Sequence, residues 1–372
     1  MKMKLMKRIM TAAVAGVLAV GLLAGCGSSS SDSSASDSSE STEAAEDSSS
    51  DDSGDTAAAS GETFKVGYVN LADTDVFCSS RKAAVKESLE GAGYEVSFTD
   101  GNNDVQKQID QVNTFIAQGV DAIIIVPCDA DGIVPAVKAC NQANIPCVLI
   151  GNAANSTDCQ YLFIGSPHYN SGYMEGEYIG QLLQDSVGIE NAKILYLEGT
   201  NGLDHAALRK QGTQDALAEL GFDWDTQCLD SQDADYVKSK AMEKMDAWVQ
   251  KYASSGEPEF QAVIAANDQM ALGAMESLKG AGILNGNAEV LIAGIDGTAD
   301  ALQAIKDGNM VQSVLQDAPG QGEAALDVLN QFLVEGKGYD EVGTPSETYE
   351  GINEVMVDYV SVTADNVDEY AE

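Results

Sequence analysis

The sequence predicts an α/β protein built as two doubly wound, parallel-sheet lobes, and three observations lead to this fold class. Short apolar segments alternate with amphipathic helical segments along most of the chain. Residues 261–302 contain a complete strand, crossover helix and second strand. With 372 residues, 44% of them hydrophobic, the chain is long enough and apolar enough for two domain cores.

Residues 1–25 have the pattern of an export signal. Lys2, Lys4, Lys7 and Arg8 precede an apolar run over 9–24, which is too short to favour a permanent membrane span. The run closes on the letters LAGC, which resemble the lipobox of bacterial lipoproteins. We therefore expect a lipoprotein signal peptide over 1–25 and lipidation of Cys26, with an ordinary signal peptide as the alternative. Two or more acyl chains on one residue would hold the protein at the outer face of the cell membrane.

In the segment 26–63, Cys26 is followed mainly by Ser, Asp, Glu, Ala and Gly, with almost no large apolar side chains. Such a segment cannot bury enough apolar surface to offset the entropy of ordering it, and its like charges extend it. The sequence therefore predicts a disordered acidic linker between the lipid anchor and the folded part.

The folded part is expected to begin at Phe64. Apolar segments that end in turn-forming residues predict strands over 64–69, 94–99, 122–126 and 147–150. Segments with helical periodicity predict the intervening helices over 79–91, 106–118 and 133–143. This alternation is typical of a doubly wound parallel sheet, and a short strand over 162–164 is expected to leave it.

A second lobe is expected to begin near Ser166. Helices are predicted over 171–184, 205–220, 236–252 and 270–280. Strands are predicted over 193–197, 262–266, 290–295, 312–315 and 355–360. Two similar lobes in one chain imply a cleft between them, and such clefts are preferred ligand sites.

Asn267 and Asp296 follow two of the strands of the second lobe. In open α/β sheets, ligands bind in the crevice beyond the carboxyl ends of the strands. These two hydrogen-bonding side chains therefore predict a small-molecule site. Taken alone, Asn267 could cap the helix that follows it and Asp296 could shape a turn.

Charge and motifs exclude several function classes. The net charge of −39 argues against a nucleic-acid partner, because phosphate binding depends on clustered Lys and Arg. The chain has only two histidines and no CxxC pair, so no metal site and no cofactor are expected. It also lacks GxGxxG, P-loop, GxSxG and HExxH motifs, and we predict that it is not an enzyme. The six cysteines after Cys26 could pair in an oxidising compartment, or they could be small buried apolar residues.

Four segments together resemble the type I periplasmic binding proteins of ABC sugar importers: ANDQMALGAMESL, GIDGTADALQAIKDG, DGNNDVQKQIDQVNTFIAQGVDAIII and KMDAWV. The similarity extends from Phe64 to the C-terminus, with the galactose/glucose-binding branch expected to be closest and ribose-binding proteins next. The resemblance implies three crossings between lobes, near Gly165, Gln316 and Val357. The N-terminal lobe would then comprise 64–165 and 317–356, and the C-terminal lobe 166–316 and 357–372.

The resemblance also implies ligand contacts. Asp75 and Phe77 match the family's sugar-binding acid and stacking aromatic residue. Asn267 and Asp296 match its asparagine and aspartate at strand ends, and Arg209 matches its sugar-contacting arginine. A sugar has apolar C–H faces and a rim of hydroxyl groups, so aromatic rings and charged groups together satisfy both. Taken alone, Phe77 would more often be a core residue and Arg209 a surface charge.

The expected site includes four further residues, which are compared below with the residues at the matching positions of the galactose/glucose-binding branch. Tyr236 falls where that branch has a stacking tryptophan, although alone it would more often be a core residue. His205 stands in place of an aspartate and Gln316 in place of an asparagine. Asn152 is the residue we choose after the strand at 147–150, where Gly151 is the other option. The calcium loop of that branch has no counterpart here, so no metal is implied.

These residues predict a lipid-anchored receptor for a monosaccharide, expected to be an aldohexose such as galactose or glucose, that serves the permease subunits of an ABC importer. The protein is expected to act as a monomer outside the cytoplasm. The alternative keeps the fold and makes the protein a receptor that hands a sugar or signal molecule to a membrane sensor kinase or chemoreceptor. Permease and ATPase genes beside this one would favour transport.

Overall fold

The structure is a computed structural model that describes residues 63–254, 257–284 and 290–371. The predicted signal peptide, the lipidated Cys26 and all of the predicted linker up to residue 62 lie outside the described residues. Within the described part of the chain, no helix combines the length and hydropathy that a membrane crossing requires.

Lobe one is a seven-stranded sheet with helices on its faces. The first part of the chain contributes β1 (Lys65–Asn70), α1 (Val76–Gly91), β2 (Glu95–Asp100), α2 (Val105–Gln118), β3 (Ala122–Ile125), α3 (Val134–Ala143), β4 (Cys147–Ile150) and β5 (Leu162–Gly165).

Lobe two is a six-stranded sheet, also covered by helices. Its elements are α4 (His168–Ser186), β6 (Ile194–Glu198), α5 (Asp204–Glu219), α6 (Trp224–Gln227), β7 (Cys228–Asp233), α7 (Lys238–Tyr252), β8 (Ala262–Ala265), α8 (Asp268–Gly280), β9 (Leu291–Asp296), α9 (Ala299–Lys306) and β10 (Gln312–Gln316). The chain then returns to lobe one with α10 (Ala318–Leu333), β11 (Thr344–Pro345) and β12 (Asn353–Met356), and ends in lobe two with β13 (Tyr359–Thr363).

Both sheets are predominantly parallel. The strand order is β11, β12, β5, β4, β3, β1, β2 in lobe one and β13, β10, β9, β8, β6, β7 in lobe two. Each sheet also carries one antiparallel pair, β11 with β12 and β10 with β13. The predicted two-lobe α/β fold is confirmed, and the sheets are mixed rather than purely parallel.

The central strands form the cores because they are apolar on both faces. All four residues of β3, with the sequence AIII, are fully buried, as expected for a strand covered by helices on both sides. Polar side chains begin the helices at the strand ends: Asp75, Asp104, Asn267 and Asp317 each accept a hydrogen bond from a backbone N–H of the first turn. The strand ends therefore collect polar residues at one edge of each sheet.

The chain passes between the lobes at three places in the described residues: between β5 and α4, between β10 and α10, and between β12 and β13. The prediction of one strand over 355–360 is wrong. That apolar run is split at Val357 and Asp358, and its two parts join different sheets. Local hydrophobicity does not reveal the break, because both parts are strands.

Other elements also differ from the sequence prediction. The strand at 162–164 does not leave the first sheet, since β5 lies between β4 and β12. The predicted helix at 236–252 begins later, at Lys238, because Asp235 and Tyr236 have left-handed backbone angles (φ 52° and 61°). Strand β7 was not predicted, because its sequence CLDSQD is polar and it lies half-buried at the sheet edge. Helices α9 and α10 were not predicted either.

Candidate functional site

A cavity of about 760 Å³ lies between the two lobes. Its walls include all nine residues that the sequence predicts as ligand contacts: Asp75, Phe77, Asn152, His205, Arg209, Tyr236, Asn267, Asp296 and Gln316. The first three come from lobe one and the other six from lobe two. The fold therefore gathers the predicted residues around one space, and their role as ligand contacts remains a prediction.

Arg209 is the most connected of these side chains. It lies on α5 and is 4% exposed. Its Nη1 donates to the carbonyl oxygen of Ala266 at 2.5 Å, and its Nη2 lies 3.2 Å from the Tyr359 hydroxyl, 3.4 Å from Gln316 Oε1 and 3.5 Å from Asp296 Oδ1. The guanidinium group thus joins the carboxyl ends of β8, β9 and β10 to the start of β13.

Close packing of α4 on α5 positions Arg209. A Cβ atom at Gly172 of α4 would lie 1.8 Å from the backbone carbonyl oxygen of Arg209. No side chain fits at such a distance, so glycine is required for the two helices to approach this closely. The helix contact therefore fixes how far the Arg209 backbone stands from the strand ends.

Asp296 ends β9 with a left-handed backbone (φ 130°) and is 8% exposed. Burial raises the pKa of its carboxyl group well above the usual range, although the Arg209 guanidinium opposes the shift. The fully buried Asp268 fixes the loop after β9, because its carboxyl group accepts hydrogen bonds from Thr298 N at 2.7 Å and from Ser313 Oγ at 2.7 Å. A carboxyl group beside a guanidinium group, in a loop held by hydrogen bonds, is suited to hydrogen-bond the hydroxyl groups of a ligand.

Asn267 both caps α8 and lines the cavity. Its Oδ1 accepts a hydrogen bond from Met270 N at 3.0 Å, so the capping role considered from the sequence is present. The side chain also carries an NH₂ group, which is a donor. In lobe one, Asp75 caps α1 through Oδ1, which accepts from Cys78 N at 2.7 Å, and Asn152 donates from Nδ2 to Pro127 O at 2.7 Å. Each of these side chains lines the cavity and has one polar atom bonded to the fold.

The aromatic residues face neighbouring side chains in this structure. The rings of Tyr236 and His205 stack with centroids 5.2 Å apart and planes 22° from parallel. The guanidinium carbon of Arg81 lies 5.0 Å from the centre of the Phe77 ring. The two consecutive left-handed residues at 235 and 236 turn Tyr236 toward the cavity, and such strain concentrates at functional sites. One face of each ring is therefore occupied, and a sugar could stack only on the other.

Sequence reasoning missed three buried polar residues at the site: Arg81, His168 and Tyr359. His168 Nε2 lies 3.3 Å from the carbonyl oxygen of Gly151, and its Nδ1 lies 2.8 Å from the Tyr359 hydroxyl. Burial, together with the nearby Arg209, lowers the pKa of His168 to about 3, so the ring is neutral. Because a carbonyl can only accept, Nε2 carries the proton and Nδ1 accepts from Tyr359. This contact joins the end of β4 in lobe one to the start of α4 in lobe two.

The described residues contain no group of three or more His, Cys, Asp or Glu side chains placed to hold a metal ion. All six cysteines of the described chain are free thiols. Burial raises the pKa of Cys78 to about 12, so its thiol at the cavity wall is neutral.

Comparison with known proteins identifies relatives over most of the chain. The family model described as a periplasmic binding protein domain matches residues 66–338. The ribose import binding protein of Bacillus subtilis is 32% identical over 275 residues, covering 73% of this chain and 82% of that protein. The xylitol-binding protein of Mycolicibacterium smegmatis is 30% identical over 305 residues, covering 82% of this chain and 81% of that protein.

A solved structure shares the fold. An ABC transporter solute-binding protein from Bacillus halodurans with bound myo-inositol has a TM-score of 0.69 and 30% identity, covering 84% of this chain and 99% of that one. The expectation that the galactose/glucose-binding branch is closest is wrong, because the similar proteins include, by their names, ribose-, xylitol- and galactofuranose-binding proteins and not that branch.

Proposed function

The chain belongs to the periplasmic binding protein family, and from this premise we propose that it is a lipid-anchored receptor for one monosaccharide or related polyol. Its relatives are solute-binding proteins, and the chain is not an enzyme. The receptor works outside the cytoplasm as a monomer, closes its lobes on the ligand and presents it to the permease of an ABC importer. Cys26 carries the lipid anchor.

The observation that carries this proposal is the composition of the cavity wall. Two carboxyl groups, Asp75 and Asp296, supply acceptors, and Arg209 and Asn267 supply donors. Phe77 and Tyr236 supply aromatic surface from opposite lobes. A polyol needs acceptors and donors for its hydroxyl groups and apolar surface for its C–H groups, and few other ligands need both in one small space.

The relatives narrow the ligand class. Those named above bind, by their names, ribose, xylitol or myo-inositol, which favours a pentose or furanose sugar or a cyclic or open polyol for this chain. An aldohexose such as galactose or glucose is the second candidate. Discrimination between them rests on which buried polar groups a given ligand would leave unpaired, and His205, Tyr236 and Gln316 differ from the residues of the galactose branch.

Isothermal titration calorimetry on the detergent-solubilised full-length chain tests the proposal, with ribose, xylitol, myo-inositol, galactose and glucose as ligands. We expect saturable binding of one ligand per chain. Asp296→Asn should abolish it, because the amide cannot act as the same acceptor beside Arg209, whereas Asp300→Asn on the exposed side of α9 should not change it. Absence of binding to every member of the panel would remove the sugar and polyol assignment.

The anchor is tested separately. The wild-type chain should incorporate a labelled fatty acid and Cys26→Ser should not, because one residue carries all of the acyl chains. A wild-type chain that incorporates no fatty acid, or a Cys26→Ser chain that is labelled equally, would exclude a lipid anchor at this residue.

A further inference from the structure

Arg81 is a buried cation in the cavity wall that was not expected from the sequence. It lies on α1, lines the cavity and is 4% exposed. Its Nη2 donates to the thiol sulfur of Cys78 at 3.3 Å, a weak acceptor. Its Nε and Nη1 atoms have no hydrogen-bond partner, and it forms no ion pair among the described residues.

The backbone of Gly151 makes the space that Arg81 fills. A Cβ atom at position 151 would lie 1.8 Å from Nη1 and 2.8 Å from Cζ of Arg81. Gly151 also has a left-handed backbone (φ 84°), which disfavours any other residue. The end of β4, where the sequence predicted a polar ligand contact, therefore has no side chain at this position, and a guanidinium group from another element stands there instead.

An unpaired buried guanidinium group is unfavourable in the ligand-free protein. Removing a charge from water is expensive unless a counter-charge or a full set of hydrogen bonds replaces the lost hydration. Arg209, across the same cavity, has a carboxylate, a carbonyl, an amide oxygen and a hydroxyl around it. Arg81 has the face of Phe77, a thiol and the charge of the nearby Asp75, with which it forms no hydrogen bond. Among the described residues its Nε and Nη1 atoms therefore find no acceptor, and the cavity is where an acceptor can bind.

We propose that Arg81 is a specificity-determining residue that binds the ligand directly, donating hydrogen bonds from its planar fork to two adjacent oxygen atoms, and that Gly151 is required to admit it. This inference rests on the proposed function. The fork geometry suits a pair of neighbouring oxygens. Two adjacent hydroxyl groups on a neutral sugar present such oxygen atoms, and so does the carboxylate of an acidic sugar. Arg81 donates hydrogen bonds to whichever of these groups the ligand carries.

The test compares Arg81→Met with the wild-type full-length chain by calorimetry and by thermal unfolding without ligand. The ligands are the five neutral compounds above together with galacturonate and gluconate. Because two charge-assisted hydrogen bonds are lost, we expect Arg81→Met to lower the affinity for the bound ligand about tenfold or more. Because an unpaired buried charge is also removed, the melting temperature of the empty protein should rise by roughly 2 °C or more.

These opposite signs separate ligand binding from a structural role, since a structural arginine would lower both quantities. Lys86→Met is the matched control: Lys86 is an exposed cation on the same helix, away from the cavity, and its substitution should change neither quantity. If Arg81→Met loses affinity for a neutral ligand, the two oxygen atoms that Arg81 binds belong to a diol. If it loses affinity for galacturonate or gluconate, they belong to a carboxylate. If the wild type binds a ligand and Arg81→Met binds it equally well, the inference is wrong and the proposed function stands. If the wild type binds none of the seven compounds, both are wrong.

Discussion

The two walls of the cavity present one arginine each, and the two arginines differ in what surrounds them. Arg209 of lobe two contacts Ala266, Asp296, Gln316 and Tyr359. Arg81 of lobe one is equally buried, yet its hydrogen-bonded neighbour is a thiol. The polar contacts of Arg209 in the wall of lobe two are therefore already made, whereas Arg81 in the wall of lobe one has unpaired donors that, under our proposal, the ligand would bond. Below, the wall of lobe two is called preformed and that of lobe one unsatisfied.

This difference suggests how a ligand drives closure. A ligand shifts a conformational equilibrium only through contacts that one state offers and the other lacks. A ligand seated first on the preformed wall of lobe two would gain the Arg81 contacts when lobe one closes over it. Under the proposed function, the contacts to Arg81 would then contribute the free energy that favours the closed form, as hinge closure requires.

The largest effect should come from removing the paired arginine. Arg209→Met leaves the buried Asp296 carboxyl without its cation and leaves Ala266 O without a donor, so we expect unfolding to require about 3–5 kcal/mol less free energy. Sugar binding should be lost as well. Urea unfolding followed by circular dichroism measures the first quantity, and calorimetry measures the second.

Lys210→Met is the control for this experiment, since Lys210 is the next residue on α5 and pairs with Glu198 at 2.7 Å near the surface. That pair should contribute less than about 1 kcal/mol. If Arg209→Met were as stable as the wild type, the contrast between a preformed and an unsatisfied wall would not hold.

Much of the fold and part of the site could be predicted because local patterns determine them. Buried strands such as β3 are short apolar runs, and a polar residue at the end of a parallel strand points to the ligand edge. Asn267 and Asp296 were identified in this way. Asp75, Phe77 and Arg209 required the family resemblance, because an isolated acid, aromatic or arginine has no local signature.

The remaining features depend on contacts between distant parts of the chain. His168 and Tyr359 are 191 residues apart and meet only because the chain crosses between the lobes three times. Arg81 lies on a helix where an arginine would ordinarily be exposed, and its burial follows from the absence of a side chain at Gly151. No periodicity in either segment indicates that pairing.

A smaller effect should follow from filling the space at Gly151. Gly151→Ala places a Cβ atom 1.8 Å from Arg81 Nη1 and forces alanine into a left-handed backbone. Strain and overpacking together should destabilise the protein by about 3 kcal/mol, and displacement of Arg81 should weaken ligand binding. Chemical unfolding and calorimetry of the same preparation measure both changes.

A double-mutant cycle isolates the steric part. In an Arg81→Ala background, Gly151→Ala should be about 1–2 kcal/mol less destabilising, because only the backbone strain remains. Equal losses in the two backgrounds would show that Gly151 and Arg81 are not coupled.

The smallest expected change in stability concerns His168 of lobe two, whose ring is hydrogen-bonded to the carbonyl oxygen of Gly151 in lobe one. Burial lowers the pKa of His168 to about 3, whereas an unfolded histidine titrates near 6.5. Between these values the unfolded state binds a proton that the folded state does not, so His168 makes the folded protein less stable as the pH falls from 6.5 toward 3. The slope approaches about 1.4 kcal/mol per pH unit, which amounts to roughly 2 kcal/mol between pH 7 and pH 5.

His168→Asn removes this titration, so its destabilisation relative to wild type should shrink by that amount when unfolding is measured at pH 5 instead of pH 7. The difference between the two chains isolates His168 from Asp296, whose raised pKa shifts stability in the opposite direction in both. Asn170→Ala, an exposed change in the first turn of α4, should have the same effect at both pH values. A destabilisation by His168→Asn that does not vary with pH would mean that His168 binds a proton as readily in the folded protein as in the unfolded one. At pH 5 its Nδ1 would then donate to the Tyr359 hydroxyl instead of accepting from it.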